Sequence, residues 1–169
     1  MLTRDFLMKA DCTTAFGAIE ASLLWSAEQR AASLAATLAC RPDDGPVWIF
    51  GYGSLMWNPA FHFIESRTAR VHGFHRRFCL NSQVGRGTSE VPGLMLGLDR
   101  GGSCRGIVLR IAAAQVHEEL DIIWSREMVA EAYRPVWVQA RTEAGTLPAI
   151  AFAIDDSLPT YAGRLPLDE

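Results

Sequence analysis

The segment from Trp48 to Asn58, WIFGYGSLMWN, decides how the chain is read. Aromatic and aliphatic residues run into Gly-Tyr-Gly-Ser, and apolar residues then resume. A strand enters this stretch and a helix or coil leaves it. Two glycines around Tyr52 let several backbone N–H groups face one way and let a ligand come close. Ser54 adds a hydroxyl. The plain alternative is a strand-ending turn that binds nothing. Known phosphate and nucleophile loops do not fit. Position 56 is Met, so the third glycine of the dinucleotide fingerprint is absent, and no Lys-Ser/Thr pair follows as in a P-loop. Met56 also breaks the G-x-S-x-G elbow of serine hydrolases.

Around this segment, 169 residues are enough for one domain, and 49% hydrophobic content supplies a core and argues against disorder. A net charge of −3 lacks the basic face that nucleic acid needs, so no nucleic-acid partner is expected. No run of 18 apolar residues occurs, so no spanning helix and no membrane partner are expected. The opening MLTRDFLMKADCTT is broken by Arg4, Asp5 and Lys9 and lacks the apolar run of a signal peptide. Cys12, Cys40, Cys79 and Cys104 are far apart and form no CxxC pair, as expected for free thiols in a reducing cytoplasm. His62, His72, His75 and His117 match no zinc spacing; His72 and His75 fall in a strand, where that spacing does not gather ligands.

Residues 11–40 read as one or two helices, with Ile19, Leu23, Leu24, Leu34 and Leu38 at helical spacing and Asp11, Thr13 or Thr14 as caps. RPDDGP at 41–46 breaks that pattern. The spacing then predicts about six strands: VWIFGY, TARVHGFHRRFCLN, GLMLGLD, CRGIVLRI, YRPVWVQAR and LPAIAFAID. DRGGS reads as a hairpin turn between the third and fourth, and EAGT as a turn between the last two. One helix, around Val116, Leu120 and Ile123, precedes Tyr133. The fold class is mixed α/β (α+β), a small barrel or strongly curled sheet.

That helix carries Glu118, Glu119 and Asp121 on a face expected to be solvated. Glu127 differs, because it lies between Trp124 and Met128-Val129 and is a candidate for partial burial. Burial raises a carboxyl pKa and makes a better base near neutral pH. The alternative is a surface pair with Arg126 or another arginine.

Taken together, WIFGYGSLMWNP, RVHGFHRRFCLNS, GTSEVPGLMLGLDRGGSCRGIVLRI, WSREM and YRPVWV resemble the ChaC-type γ-glutamylcyclotransferases, in the family's order from about Pro46 to Gly163. The resemblance implies a γ-glutamylcyclotransferase-like small β-barrel with flanking helices. It implies cleavage of glutathione to 5-oxoproline and Cys-Gly, with no cofactor and no metal. The family's substrate loop falls on Phe50, Gly51, Tyr52, Gly53, Ser54 and Leu55, its catalytic glutamate on Glu127, and a pocket tyrosine on Tyr161. Gly53 is expected at positive φ, where a β-branched residue would crowd the loop. Two other readings keep this fold: action on another γ-glutamyl amine or peptide, and a non-catalytic module that binds a γ-glutamyl metabolite.

The expected layout is an N-terminal helical extension, 1–46, on a γ-glutamylcyclotransferase-like domain, 47–169. The expected partner is a small-molecule γ-glutamyl substrate, and the expected state is a cytoplasmic monomer or weak homodimer. Members of the resembling family continue past a Y-x-G segment into a further helix, whereas this sequence stops at Asp168-Glu169. The expectation is that this C-terminal helix is absent and that the N-terminal helix, or else a second chain, covers the surface it would occupy.

Overall fold

A computed structural model describes residues 3–8, 24–82, 87 and 90–165. Short helix α1 spans Arg4–Leu7 and α2 spans Ala27–Ala39. Strand β1, Val47–Gly51, leads to a 3₁₀ turn at Ser54–Met56. Then come β2, Glu65–Ser82; β3, Gly93–Ile111; α3, Val116–Glu127; β4, Tyr133–Thr142; and β5, Gly145–Ile154.

The five strands close into a barrel in the order β1-β3-β2-β4-β5. Pairing is antiparallel except at the closure, where Ile49 of β1 meets Ile150 of β5 in parallel. A five-stranded barrel has a narrow interior, and the sequence fills it with a mixture of small and large side chains. Ala69, Ala140, Ala149 and Ala151 face Trp48, Phe50, Val71, Val108 and Val138 there. The other faces of β1, β3 and β5 carry Ile49, Leu109, Ile111, Ile150 and Phe152, which pack with Leu120, Ile123 and Trp124 of α3. Strand β1 is therefore buried on both faces, which is why it reads as an unbroken apolar run. The Trp124 ring stands edge-on to Phe152, with centroids 5.1 Å apart.

Helix α2 docks on this assembly by Leu34 and by two indole bonds: Trp124 Nε1 donates to Ser33 Oγ at 3.2 Å, and Trp137 Nε1 to the Thr37 carbonyl at 2.9 Å. Ser26 and Gln29 start it with a reciprocal capping box. The expected caps Asp11, Thr13 and Thr14, together with Ile19 and Leu23, lie outside the described residues. Leu24 is not helical: it bridges Ala130, and the Trp25 N–H donates to the Val129 carbonyl at 3.0 Å. Contacts with the end of α3 thus hold residues 24–25 extended. Cys40 is exposed while Cys79 and Cys104 are buried, all three as free thiols; Cys12 lies outside the described residues.

Two further expectations need correction. DRGGS is not a hairpin turn. The expected third and fourth strands are one 19-residue strand, β3, paired along β2. The register jumps between the pairs His72–Ser103 and Phe74–Arg100. Gly73, Gly101 and Gly102 take positive φ there, at +85°, +94° and +65°. The glycines make a bulge that bends a long ribbon rather than reversing the chain. Glu119 is not solvated. It is fully buried, paired with Arg4, and accepts the His62 N–H at 2.9 Å. A buried carboxylate needs such partners, and here they come from α1 and from the segment after β1.

Candidate active site

Strand β1 runs into the loop at Gly51, and β3 shapes that exit. A Cβ on Gly106 would lie 2.2 Å from the Gly51 carbonyl oxygen and 2.9 Å from the Phe50 ring, so only glycine lets the two strands meet there. Tyr52 turns inward and its hydroxyl donates to the Phe152 carbonyl at 2.9 Å, while its own carbonyl accepts from Arg76 at 3.2 Å. Leu55 is buried against the helical side of the core. The Met56 N–H closes on the Gly53 carbonyl and the Asn58 N–H on the Ser54 carbonyl, both at 2.9 Å. The leading N–H groups of such a turn have no acceptor within it.

Glu127 is the last residue of α3, with its side chain 15% exposed. Burial raises its pKa, and the adjacent Arg126 guanidinium opposes that rise. The C-terminal end of a helix gives a negative charge no help. Arg126 Nε lies 3.0 Å from Glu127 Oε1. The same guanidinium donates through Nη2 to Ser54 Oγ at 2.8 Å and through Nη1 to the Asn58 carbonyl. The expected pairing of Glu127 with Arg126 is present, but inside the protein rather than on its surface.

The candidate residues divide accordingly. Ser54 and Glu127 meet through Arg126. Tyr52 lies close enough to Glu127 for the carboxylate to help burial push its phenol pKa upward. The Phe50 side chain is fully buried inside the barrel, so only its backbone is available to the loop. Gly53 departs from expectation. Its φ is −134°, and a Cβ there would meet nothing within 4 Å. Neither positive φ nor crowding demands glycine at 53. The Tyr161 hydroxyl donates to Asp99 Oδ2 at 3.1 Å, and Arg77 holds that carboxylate at 3.0 Å. Tyr161 packs with Tyr133 around Cys79, and among the described residues its hydroxyl is not brought to Glu127.

Three residues escaped the sequence reading. Arg126 was visible in WSREM, but only as a surface partner. Asn58 closes the quoted loop yet signals nothing by its type. Tyr133 opens YRPVWV; burial first, and then Glu127, push its phenol pKa up. A groove of about 590 Å³ lies between α2 and β4, lined by Trp25, Thr37, Tyr133, Arg134 and Trp137. Neither Glu127 nor the loop lines it, and it touches this chemistry only through Tyr133.

A small closed barrel thus brings a largely buried carboxylate, Glu127, to a glycine-containing loop through Arg126. The solved structure of a glutathione-specific γ-glutamyl cyclotransferase from yeast superposes with a TM-score of 0.63 over 73% of this chain and 75% of that one, at 20% identity. The structure of YkqA from Bacillus subtilis superposes at 0.56 over 79% of this chain and 48% of that one, at 21% identity. Those likenesses concern the fold alone. The sequence pattern of the ChaC-like protein family matches residues 47–169, and this chain belongs to that family. It is 59% identical to the glutathione-specific gamma-glutamylcyclotransferase of Escherichia coli K12, over 95% of this chain and 70% of that protein. It is 34% identical to glutathione-specific gamma-glutamylcyclotransferase 1 of Mus musculus, over 73% of this chain and 58% of that protein.

Proposed function

We propose that this chain cleaves glutathione by intramolecular attack, releasing 5-oxoproline and Cys-Gly, with Glu127 as general base. The names of the E. coli and mouse relatives support the substrate. The observation that carries the mechanism is the position of Glu127: largely buried, raised in pKa, and linked through Arg126 to the loop after β1.

The nucleophile is the substrate's own α-amine, so the protein supplies neither a serine nor a cysteine. It folds the γ-glutamyl chain so that the amine approaches the γ-carbonyl, an effect that can be large. The α-ammonium is not nucleophilic until it loses a proton. Glu127 takes that proton, and the freed amine attacks the γ-carbonyl to form the new N–C bond. Glu127 returns the proton to the Cys-Gly amine as the scissile C–N bond breaks, and the ring nitrogen gives its second proton to solvent, leaving the neutral 5-oxoproline lactam. N–H groups of the Gly51–Leu55 loop face the developing oxyanion, and each such donor is worth on the order of 10²- to 10³-fold in rate.

Incubation with glutathione and separately with γ-Glu-Ala, following 5-oxoproline by mass, tests this reading. Release from glutathione at a clearly higher kcat/KM is expected. Release only from γ-Glu-Ala would assign another γ-glutamyl substrate, and binding of either without release would favour the non-catalytic module.

A further inference from the structure

Arg126 is 7% exposed, and a guanidinium taken that far out of water is costly unless its N–H groups are matched. Here each of its three nitrogens has a different partner: Nε the Glu127 carboxylate, Nη1 the Asn58 carbonyl, Nη2 the Ser54 hydroxyl. Two of those partners belong to the loop that follows β1, and the third is the end of α3. We propose that Arg126 is the positioning residue of this site, one planar fork that holds the substrate loop and Glu127 as a single unit. The proposal rests on the reading of Glu127 as the base.

The geometry separates this role from that of an ordinary ion pair. A pair alone would need only Nε. The two Nη contacts fix the Ser54–Asn58 turn relative to the carboxylate, so loop donors and base keep one spacing. A lysine ammonium is a point charge on a flexible stem and cannot hold three divergent acceptors in one plane. Charge is the second part of the role. Among the described residues, the titratable groups facing Glu127 are Arg126 beside it, Tyr52 from the loop and Tyr133 from β4, while Cys79 on β2 faces both tyrosines. Both phenols are held neutral well into alkaline solution. Arg126 is therefore the cation that opposes the rise burial imposes on the Glu127 pKa and so favours its proton-accepting form.

The test uses Arg126→Gln and Arg126→Lys in the full chain. It reads the titration of Glu127 by carbon-13 NMR of labelled glutamate carboxyls, assigned with Glu127→Gln. It also reads kcat and KM for 5-oxoproline release from glutathione across pH. Loss of the charge in Arg126→Gln is expected to move the Glu127 midpoint up by about one pH unit or more. The acid limb of kcat/KM should follow it. Arg126→Lys should leave that limb near its wild-type place but lower kcat by about tenfold or more, because misplacement of about 1 Å can cost ~10²-fold. A Gln variant that melts at a lower temperature with an unmoved midpoint would show a merely structural arginine and overturn the proposal. If the Gln variant does not fold, the Lys variant decides: kcat within about twofold of wild type overturns it. A wild-type chain that releases no 5-oxoproline would sink the proposed reaction, while the NMR midpoints would still decide whether Arg126 governs Glu127.

Discussion

The Tyr52 hydroxyl donates to the backbone carbonyl of Phe152, 100 residues away, at 2.9 Å. Tyr52 lies in the loop that follows β1 and Phe152 lies on β5, the neighbour of β1 at the barrel closure, so this bond fastens the loop to the adjoining strand. Both groups are buried, and a buried carbonyl left without a donor costs about 1–3 kcal/mol. Tyr52→Phe should lose stability of that order in urea denaturation. An unchanged midpoint would mean that the loop is held by other contacts.

Two glycines near the loop should behave in opposite ways. A methyl on Gly106 would run into the Gly51 carbonyl, which cannot move without moving β1. Overpacking of this kind costs about 1–3 kcal/mol or more, so Gly106→Ala should melt early and lose activity with it. A methyl on Gly53 meets nothing, so Gly53→Ala should stay within about 0.5 kcal/mol of wild type. Any change in its KM would then report a side chain in the substrate's path. Equal destabilisation by both variants would contradict this placement of the loop.

The pH dependence follows from Glu127. Its pKa is raised because burial disfavours the charged form. A general base must be ionised, so kcat/KM for the free enzyme should fall as pH drops through that raised value. The acid limb should therefore lie above the ordinary glutamate value of 4.5. A profile flat down to pH 4.5 would place the essential proton acceptor elsewhere.

Residues 1–40 should be required for a stable domain. Leu7 and Leu34 are buried in the core shared with α3, and Ser33 and Thr37 satisfy two indole N–H groups. Each Leu-sized side chain withdrawn from the core costs roughly 1.5–3 kcal/mol. Deleting residues 1–40 should thus cost several kcal/mol in urea denaturation. An unchanged melting temperature would make this segment an ornament rather than part of the domain.

What could be read from the chain was local in origin. VWIFGY announced a buried strand by its unbroken apolar run. The apolar run LPAIAFAID announced β5, and Glu127 stood out by its apolar neighbours. What could not be read depended on distant partners. DRGGS has hairpin composition, and only its pairing with β2 turns it into a bulge. Glu119 looked solvated because Arg4, its partner, lies 115 residues away. Arg126 looked like a surface arginine because Ser54 and Asn58 reach it only after β1 and α3 have packed together.

Glu127→Gln tests the central claim most directly, because glutamine keeps the shape and loses the proton acceptor. The measurement is kcat for 5-oxoproline release from glutathione at neutral pH, beside circular dichroism to confirm the fold. The expected result is a folded protein with kcat reduced by about 10²-fold or more. A folded variant that kept more than about a tenth of wild-type kcat would contradict the assignment of Glu127 as the base.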